Sequence, residues 1–210
     1  MHFNIEALRQ LEDRYRAKLI NSLSGFKSAN LIGTTDGKGN HNLAIVSSVF
    51  HIGANPPLVG MIMRPHTVTR DTLENILELG EYTINQVNVE IWREAHQTSA
   101  RYEQQVSEFD EVGLTPEWVD EAKAPFVAES RLKYSLVLRE SQTLEINGTV
   151  LVIGEINHVL VEDDVIAHDG YIDIEALETV AVSGLDSYHV TNRLGRLSYA
   201  KPDKKPDVID

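Results

Sequence analysis

Three short turn sequences divide much of the chain into pairs of β-prone segments. "DGKGN" at 36–40 separates "ANLIGTT" from "HNLAIVSSVF", and its Asp-Gly step favours a tight reversal because glycine accepts a positive φ. The proline pair at 56–57 forms a stiff corner before "PLVGMIM", and "NG" at 147–148 separates "QTLEI" from "TVLVIGEINHVLVE". Repeated hairpins of this kind predict a mainly β chain, a β-barrel of short antiparallel strands with added helices.

Helices are predicted around these strands. Near the N-terminus, apolar residues recur at steps of three and four and predict an amphipathic helix: Ile5, Leu8, Leu11, Tyr15 and Leu19. Asn4 is its expected N-cap. A second short helix precedes the strand "YTINQV" and is expected to stop at Gly80, with Asp71 and Glu74 resembling a capping box.

Three further helical segments are predicted in the second half of the chain. Residues 89–104 are polar and helical in pattern, and Thr115 is the expected N-cap of a helix that begins at Pro116. A short helix is also expected over "DIEALET" at 173–179. We find no repeat or flexible linker, and therefore expect one domain over 1–210. Its parts are an N-terminal helix at 1–24, a barrel with helical insertions at 25–165 and a C-terminal segment at 166–210.

Composition excludes several classes of protein. The 210 residues include 19 basic and 32 acidic side chains, a net charge of −13, which disfavours nucleic acid as a partner. No apolar run is long enough to span a bilayer, and the charged N-terminus does not resemble a secretory signal. The absence of cysteine excludes disulfides and thiolate metal sites and fits a reducing cytoplasm, the location that we expect.

Two segments are candidates for binding a ligand. Ser47 and Ser48 stand side by side at a strand end, where one hydroxyl could face a ligand; alternatively, both satisfy loose backbone carbonyls. The segment "RPHTVTRDT" carries cationic and hydroxyl side chains just before a predicted helix, against the negative charge of the chain: Arg64, His66, Thr67, Thr69, Arg70 and Thr72. Such a set suits a phosphate, or simply forms a solvated turn that caps the helix.

Other chemistry finds little support in the sequence. The eight histidines form no metal-binding pattern, and the serine pair lacks the Gly-x-Ser-x-Gly elbow of hydrolases. No Gly-x-Gly-x-x-Gly follows a strand, so a Rossmann dinucleotide fold is disfavoured. The acidic stretch at 103–121 is expected to be a solvated face.

The order of these features resembles the flavin reductase-like, FMN-binding split-barrel family. The similar pieces are "NLIGTTDGKGNHNLAIVSSVFHIGANPPLVGMIM", "RDTLENILELGEYTINQV", "SEFDEVGLTPE" with "APFVAES", and "NGTVLVIGEI". The resemblance covers roughly 25–165, and "GLDSYHVTNRLGRLSYAKP" is similar to the family's C-terminal ending.

The resemblance implies a six-stranded Greek-key barrel that forms a homodimer and binds FMN or FAD at the interface. It places Asn42, Ala44, Ser47, Ser48 and Val49 against the flavin ring, and Arg64, His66, Thr67, Arg70 and Thr72 at the phosphate. It also implies that NAD(P)H donates hydride to the flavin, so that no side chain need be catalytic.

One position departs from the family pattern. Many members carry a Gly-Asp-His turn before the "VVVGEV" strand, with the histidine near the nicotinamide, whereas this chain has "EINGT" with Asn147 there. Three functions therefore stay open: an NAD(P)H:flavin oxidoreductase, a non-catalytic FMN carrier or electron-transfer protein reduced by a partner, and a barrel that has lost its ligand.

Overall fold

A computed structural model describes residues 1–66, 70–103, 106–119 and 121–209. The helices among them are α1 (Ile5–Gln10), α2 (Asp13–Ser22), α3 (Asp71–Leu79), α4 (Trp92–Gln97) and α5 (Glu108–Val112), with a 3₁₀ turn at Asp163–Val165. The strands are β1 (Lys27–Ser28), β2 (Asn30–Thr35), β3 (His41–Val46), β4 (Val49–Ala54), β5 (Pro57–Met63), β6 (Glu81–Gln86), β7 (Pro116–Glu117), β8 (Phe126–Val127), β9 (Leu132–Thr143), β10 (Val150–Val161), β11 (Ala181–Ser183) and β12 (Ser187–His189). No helix within these ranges is both long and apolar enough to cross a membrane.

The main sheet is antiparallel and curls back on itself. Its strand order is β3-β2-β6-β9-β10-β5-β4, so the consecutive strands β3 and β4 lie at opposite edges. Only Ser47 and Ser48 separate these strands, and three Cα steps span at most about 11 Å, whereas seven flat strands would span roughly 29 Å. The two edges therefore meet at the serine pair, which lies at the seam of a split barrel.

Seven strands are described where the resemblance implied six. Residues 47 and 48 separate the consecutive strands β3 and β4, and the chain passes there from one edge of the sheet to the other. When β3 and β4 are taken as one bent strand, the count returns to six.

Two apolar cores lie on opposite faces of the sheet. The barrel interior holds Ile32, Val59, Met61, Met63, Leu73, Ile76, Tyr82, Ile84, Leu136, Val150 and Val152. The second core lies outside β2, β3 and β6, where α4, α5 and β8 cover it: Ala29, Leu31, Leu43, Val87, Ile91, Ala95, Phe109, Leu114, Val127, Val180 and Val182. The α3 helix contributes Leu73 and Ile76 to the interior core, which fixes the helix against the barrel.

The predicted hairpins are confirmed. Thr35 pairs with His41 across "DGKGN", Ala54 pairs with Pro57, and β9 pairs with β10 around the "NG" turn. The Asn55–Pro56 peptide bond is cis. The α3 helix also stops where predicted, since Gly80 adopts φ +70° and donates its N–H to the carbonyl of Ile76.

The N-terminal helix was predicted as one segment, which is wrong. Asn4 caps α1 as expected, but the backbone becomes extended at Leu11 and a new helix follows. The Glu12 carboxylate accepts the Tyr15 N–H at 2.9 Å and so caps α2. A local cap therefore divides an apolar pattern that was continuous in the sequence.

Three other helix predictions also need correction. The segment at 89–104 is helical only over Trp92–Gln97. Pro116 begins β7, because backbone pairing with β8 outweighs the helix-start signal. Residues 173–179 form turns, in which the Asp173 carboxylate accepts the N–H groups of Glu175 and Ala176 but Glu178 adopts φ +52°.

Candidate functional site

The serine pair at the seam has two different environments. Ser48 Oγ donates a 2.6 Å hydrogen bond to the carbonyl of Ile62, and Ile62 N–H donates to the Ser48 carbonyl at 3.2 Å. Ser47 is half-buried, and its hydroxyl makes no hydrogen bond to any residue that the structure describes. Ser48 therefore ties the seam to β5, whereas Ser47 is the hydroxyl available to a ligand.

The opposite edge of the seam is tied to α3. Asn42 on β3 is buried, and its Nδ2 donates a 2.9 Å hydrogen bond to Oγ1 of Thr72, which is also buried. Thr72 is the second residue of α3. The chain thus leaves β5 beside Ser48, at one edge of the split barrel, and at Asp71 it enters a helix bonded to β3, at the other edge.

The segment from Arg64 to Arg70, called the basic turn below, is contacted by a carboxylate of α3. Arg70, rather than Asp71, is the N-cap of α3, and Glu74 Oε1 accepts the Arg70 N–H at 3.4 Å. The same oxygen lies 2.9 Å from Nε2 of exposed His66. Arg70 Nε donates to the Pro65 carbonyl at 3.1 Å. The expected capping by Asp71 is therefore wrong, and Glu74 performs the backbone contact instead.

Arg64 is the most exposed arginine of this turn. Its side chain is exposed and forms no ion pair or hydrogen bond with another residue of the described ranges. It follows β5 directly, two positions after the Ile62 that binds Ser48. Arg64 and Ser47 are thus the two predicted site residues near the seam whose side-chain polar groups are uncommitted among described residues.

The remaining predicted residues occupy expected strands. Ala44 is half-buried on β3, opposite Ile32, and Val49 begins β4, opposite Met61. Thr67 and Thr69 lie outside the described residues. The structure therefore brings two groups of predicted residues to one seam: Asn42, Ala44, Ser47, Ser48 and Val49 on the strands, and Arg64, His66, Arg70 and Thr72 around the connection to α3.

One site-forming residue, Glu108, was not identified from the sequence. Its Oε2 accepts the N–H of Leu43 at 3.0 Å, while Thr98 Oγ1 accepts the N–H of Ile45 at 2.9 Å, so both satisfy the outer side of edge strand β3. Burial raises the pKa of Glu108, and the nearby Asp71 adds to this, although the Leu43 hydrogen bond acts in the opposite direction. Its place in "SEFDEVGLTPE", one of the pieces that carry the family resemblance, was the available signal, but we had expected this acidic stretch to be a solvated face.

A cleft of about 190 Å³ lies beside Asn42. It lies between the "DGKGN" turn and α3, with these lining residues: Asp36, Gly37, Lys38, Asn40, His41, Asn42, Asp71, Glu74, Asn75, Glu78 and Val106. Hydrogen bonds from the side chain and backbone of Asn40 lower the pKa of Asp36 and favour its charged form. The cleft is smaller than the ~300 Å³ of ordinary small-molecule sites and is rich in carboxylates, so it suits neither a flavin ring nor a phosphate.

The outer face of β4, β5 and β10 is apolar near the serine pair, and the described part of the chain leaves it uncovered. Strand register places Phe50, Gly60 and Ile153 side by side, and Ile62 beside Leu151, on the face opposite the barrel interior. The face also includes Ile52, and a Cβ at Gly60 would lie 2.6 Å from the Phe50 ring. Phe50 remains 44% exposed and Ile52 40% exposed. Both faces of these strands therefore carry apolar side chains, but among the described residues only the inner face is packed into a core.

Comparison with protein families adds the relationship that geometry alone does not give. The family described as "flavin reductase like domain" matches residues 23–174, more than half of the chain. A split-barrel protein of Shewanella frigidimarina that has been proposed to be a flavin reductase is 60% identical, with a TM-score of 0.92, covering 95% of this chain and 100% of that chain.

Two more distant structures share the fold. Nitrilotriacetate monooxygenase component B from Bacillus cereus is 21% identical, with a TM-score of 0.82, over 94% of this chain and 98% of that chain. Flavoredoxin of Desulfovibrio vulgaris (Miyazaki F) is 23% identical, with a TM-score of 0.71, over 97% of this chain and 98% of that chain. The expected fold class, a mainly β split barrel, is confirmed.

Proposed function

The chain belongs to the flavin reductase like domain family, and we propose that it is an FMN-binding oxidoreductase that takes hydride from NAD(P)H. The observation that carries the proposal is the position of the basic turn. Arg64 follows Ile62, which is bound to Ser48, by two positions, and Arg70 precedes Thr72, which is bound to Asn42, so both ends of the turn are tied to strands that carry the predicted ring residues. We further propose that 1–210 is one domain built around this site.

The residues at the seam fit a flavin phosphate in their chemistry. The Arg64 guanidinium is exposed and uncommitted among described residues, and a guanidinium matches phosphate oxygens in geometry as well as charge. His66, Thr72 and the start of α3 add further donors near the same turn. The carboxylates of Asp71 and Glu74 oppose a phosphate, so the fit depends on the cations facing it.

Residues at the serine crossing, where Ser47 and Ser48 join β3 to β4, would hold the flavin ring. Ser47 offers a hydroxyl that no described residue binds, and Ala44 and Val49 offer small half-buried apolar surface on either side of it. Ser48 acts indirectly, because its hydroxyl fixes the crossing to β5. When bound, the flavin itself would supply the redox chemistry, accepting hydride at N5, and the protein would orient the ring and exclude water.

We propose that two copies of the chain form the complete site. The cleft described above is too small for a flavin, and Val49, which borders the serine crossing, begins the strand that carries the uncovered apolar face. Because the chain has a net charge of −13, contact with its own copy is least opposed where carboxylates are few. The side chains of Phe50, Ile52, Ile62, Leu151 and Ile153 provide an apolar centre for such a contact, and Glu140 and Glu155 lie at its border, opposite Ile153 and Leu58.

Flavin binding is tested by titrating the purified protein with FMN, FAD and riboflavin while following flavin fluorescence. Arg64→Gln should weaken FMN binding about tenfold and leave riboflavin nearly unchanged, because a charge-assisted phosphate contact is lost. Arg14→Gln, an exposed arginine of α2, is the matched control. Equal loss for both ligands would contradict the phosphate assignment.

An FMN carrier or electron-transfer protein is the second candidate function. Asn147, which replaces the family histidine at the turn before β10, is the observation that favours it; its Oδ1 accepts from both N–H and Oγ1 of Thr149. Anaerobic addition of NADH or NADPH to the FMN-loaded protein separates the two functions. A reductase would lose the flavin absorbance near ~450 nm, whereas a carrier would stay yellow.

A further inference from the structure

The Glu74 carboxylate lies against the basic turn, at the place where a bound anion would contact the same groups. Its Oε1 accepts the backbone N–H of Arg70 and lies within hydrogen-bond distance of His66 Nε2. Both groups belong to the proposed phosphate site. A carboxylate of the chain itself therefore makes the contacts that an incoming phosphate would need.

We infer that Glu74 is an internal competitor of the flavin phosphate, and that it keeps the flavin exchangeable rather than permanently bound. The inference rests on the proposed flavin site and adds to it the way in which flavin is used. A chain with this arrangement would bind FMN as a ligand that exchanges readily. Such exchange suits a reductase that passes on reduced flavin, whereas a carrier benefits from slow release.

The exposure of the pair allows this competition. The His66 side chain is 45% exposed and that of Glu74 39% exposed. A half-exposed contact between a histidine and a carboxylate contributes little stability, so a phosphate dianion can replace the carboxylate at His66 without a large loss. Glu74 cannot move far after displacement, because it lies in the first turn of α3 and that helix is fixed by Leu73 and Ile76 in the barrel core.

The charges around Glu74 add to the repulsion. Asp71 and Glu78 lie on the same helix, and both line the cleft together with Glu74 and Asp36. Against these four carboxylates, the residues that line the cleft include a single lysine, Lys38. A displaced Glu74 thus remains in a negative environment close to the bound phosphate, which weakens binding of FMN but not of riboflavin, the flavin without phosphate.

Glu74→Gln tests the inference because it removes the charge and keeps an acceptor for Arg70 N–H. We expect FMN to bind about fivefold or more tightly and to dissociate more slowly in stopped-flow measurements, with riboflavin affinity unchanged. Glu78→Gln, one turn further along α3, should change FMN affinity much less. Glu74→Asp retains the charge and should keep FMN affinity near that of the wild type.

Circular dichroism and thermal unfolding establish that each variant is folded, and Glu74→Ala provides a second neutral variant if Glu74→Gln is not. Unchanged or weaker FMN binding in a folded neutral variant would overturn the inference, as would an equal gain for FMN and riboflavin. A wild-type protein that binds neither flavin would instead overturn the proposed function, and the inference with it.

Discussion

Asn42 and Thr72, thirty positions apart in the chain, share a buried 2.9 Å hydrogen bond that fastens the start of α3 to the edge strand β3. The bond has a partner at the other edge, where Ser48 is bound to Ile62. Between them, these contacts fix both ends of the basic turn relative to the seam. The geometry of the candidate site therefore depends on polar contacts that a local sequence pattern does not contain.

Thr72→Val should destabilise the fold by about 1–3 kcal/mol, since it leaves the buried Asn42 amide without its acceptor. Valine has nearly the shape of threonine, so the loss would come from the hydrogen bond rather than from packing. Urea unfolding measures the change, with Thr72→Ser as the control that keeps the hydroxyl. Equal stability of the valine variant and the wild type would show that the bond contributes little.

Substitutions of the two serines should affect different properties, stability for Ser48 and flavin binding for Ser47. Ser48→Ala should lower the free energy of unfolding by about 0.5–1.5 kcal/mol, because the bond to the Ile62 carbonyl is lost. Ser47→Ala should leave stability unchanged, weaken flavin binding and reduce turnover without abolishing it. Denaturation and flavin titration of both variants make the comparison. Complete loss of turnover in Ser47→Ala with flavin still bound would imply a direct chemical role for that hydroxyl.

Local patterns were sufficient for the strands and hairpins of the barrel. Alternating apolar residues and turn sequences such as "DGKGN" depend on contacts within a few positions, as does the stop of α3 at Gly80. The resemblance also assigned residues to both halves of the candidate site, and that assignment stays a prediction. What the sequence did not contain was the order of the strands, and hence the meeting of β3 with β4.

The wrong predictions at Pro116 and Glu108 share one physical cause. Pro116 carries a helix-start signal, but β7 pairs with β8, and Thr115 N–H binds the Glu129 carboxylate. Glu108 appeared to be one of many solvated acids, but its oxygen satisfies an edge-strand N–H that is distant in sequence. In each case a long-range backbone partner outweighed the local preference, and such partners are visible only in the folded chain.

Glu108 should make stability depend on pH. Burial raises its pKa in the folded chain, so the folded state holds this proton more tightly than the unfolded state. The stability that the group contributes is therefore fully present below the unfolded pKa and is lost as pH rises through the folded pKa. Glu108→Gln should exceed the wild type in free energy of unfolding at neutral pH, and the difference should shrink as the solution becomes acidic.

Chemical denaturation of the wild type and Glu108→Gln, repeated from neutral to acidic pH, measures the difference in free energy of unfolding. Glu111→Gln, on the exposed side of α5, is the control and should show no such trend. A Glu108→Gln difference that is constant with pH would contradict the assignment, because a change in packing alone does not titrate.

Phe50→Asp should separate two copies of the chain. Phe50 lies over Gly60 in the uncovered apolar face, and a carboxylate there would bring like charges together in a contact between two identical faces. We expect the wild type to have twice the 23.5 kDa mass of one chain in sedimentation equilibrium, and the variant to associate at least about thirtyfold more weakly. Ile146→Asp, at a 93% exposed position beside the "NG" turn, is the control and should leave the mass unchanged. A Phe50→Asp protein that keeps the mass of two chains would exclude this face as the contact, and flavin titration of the variant would then show whether binding depends on association.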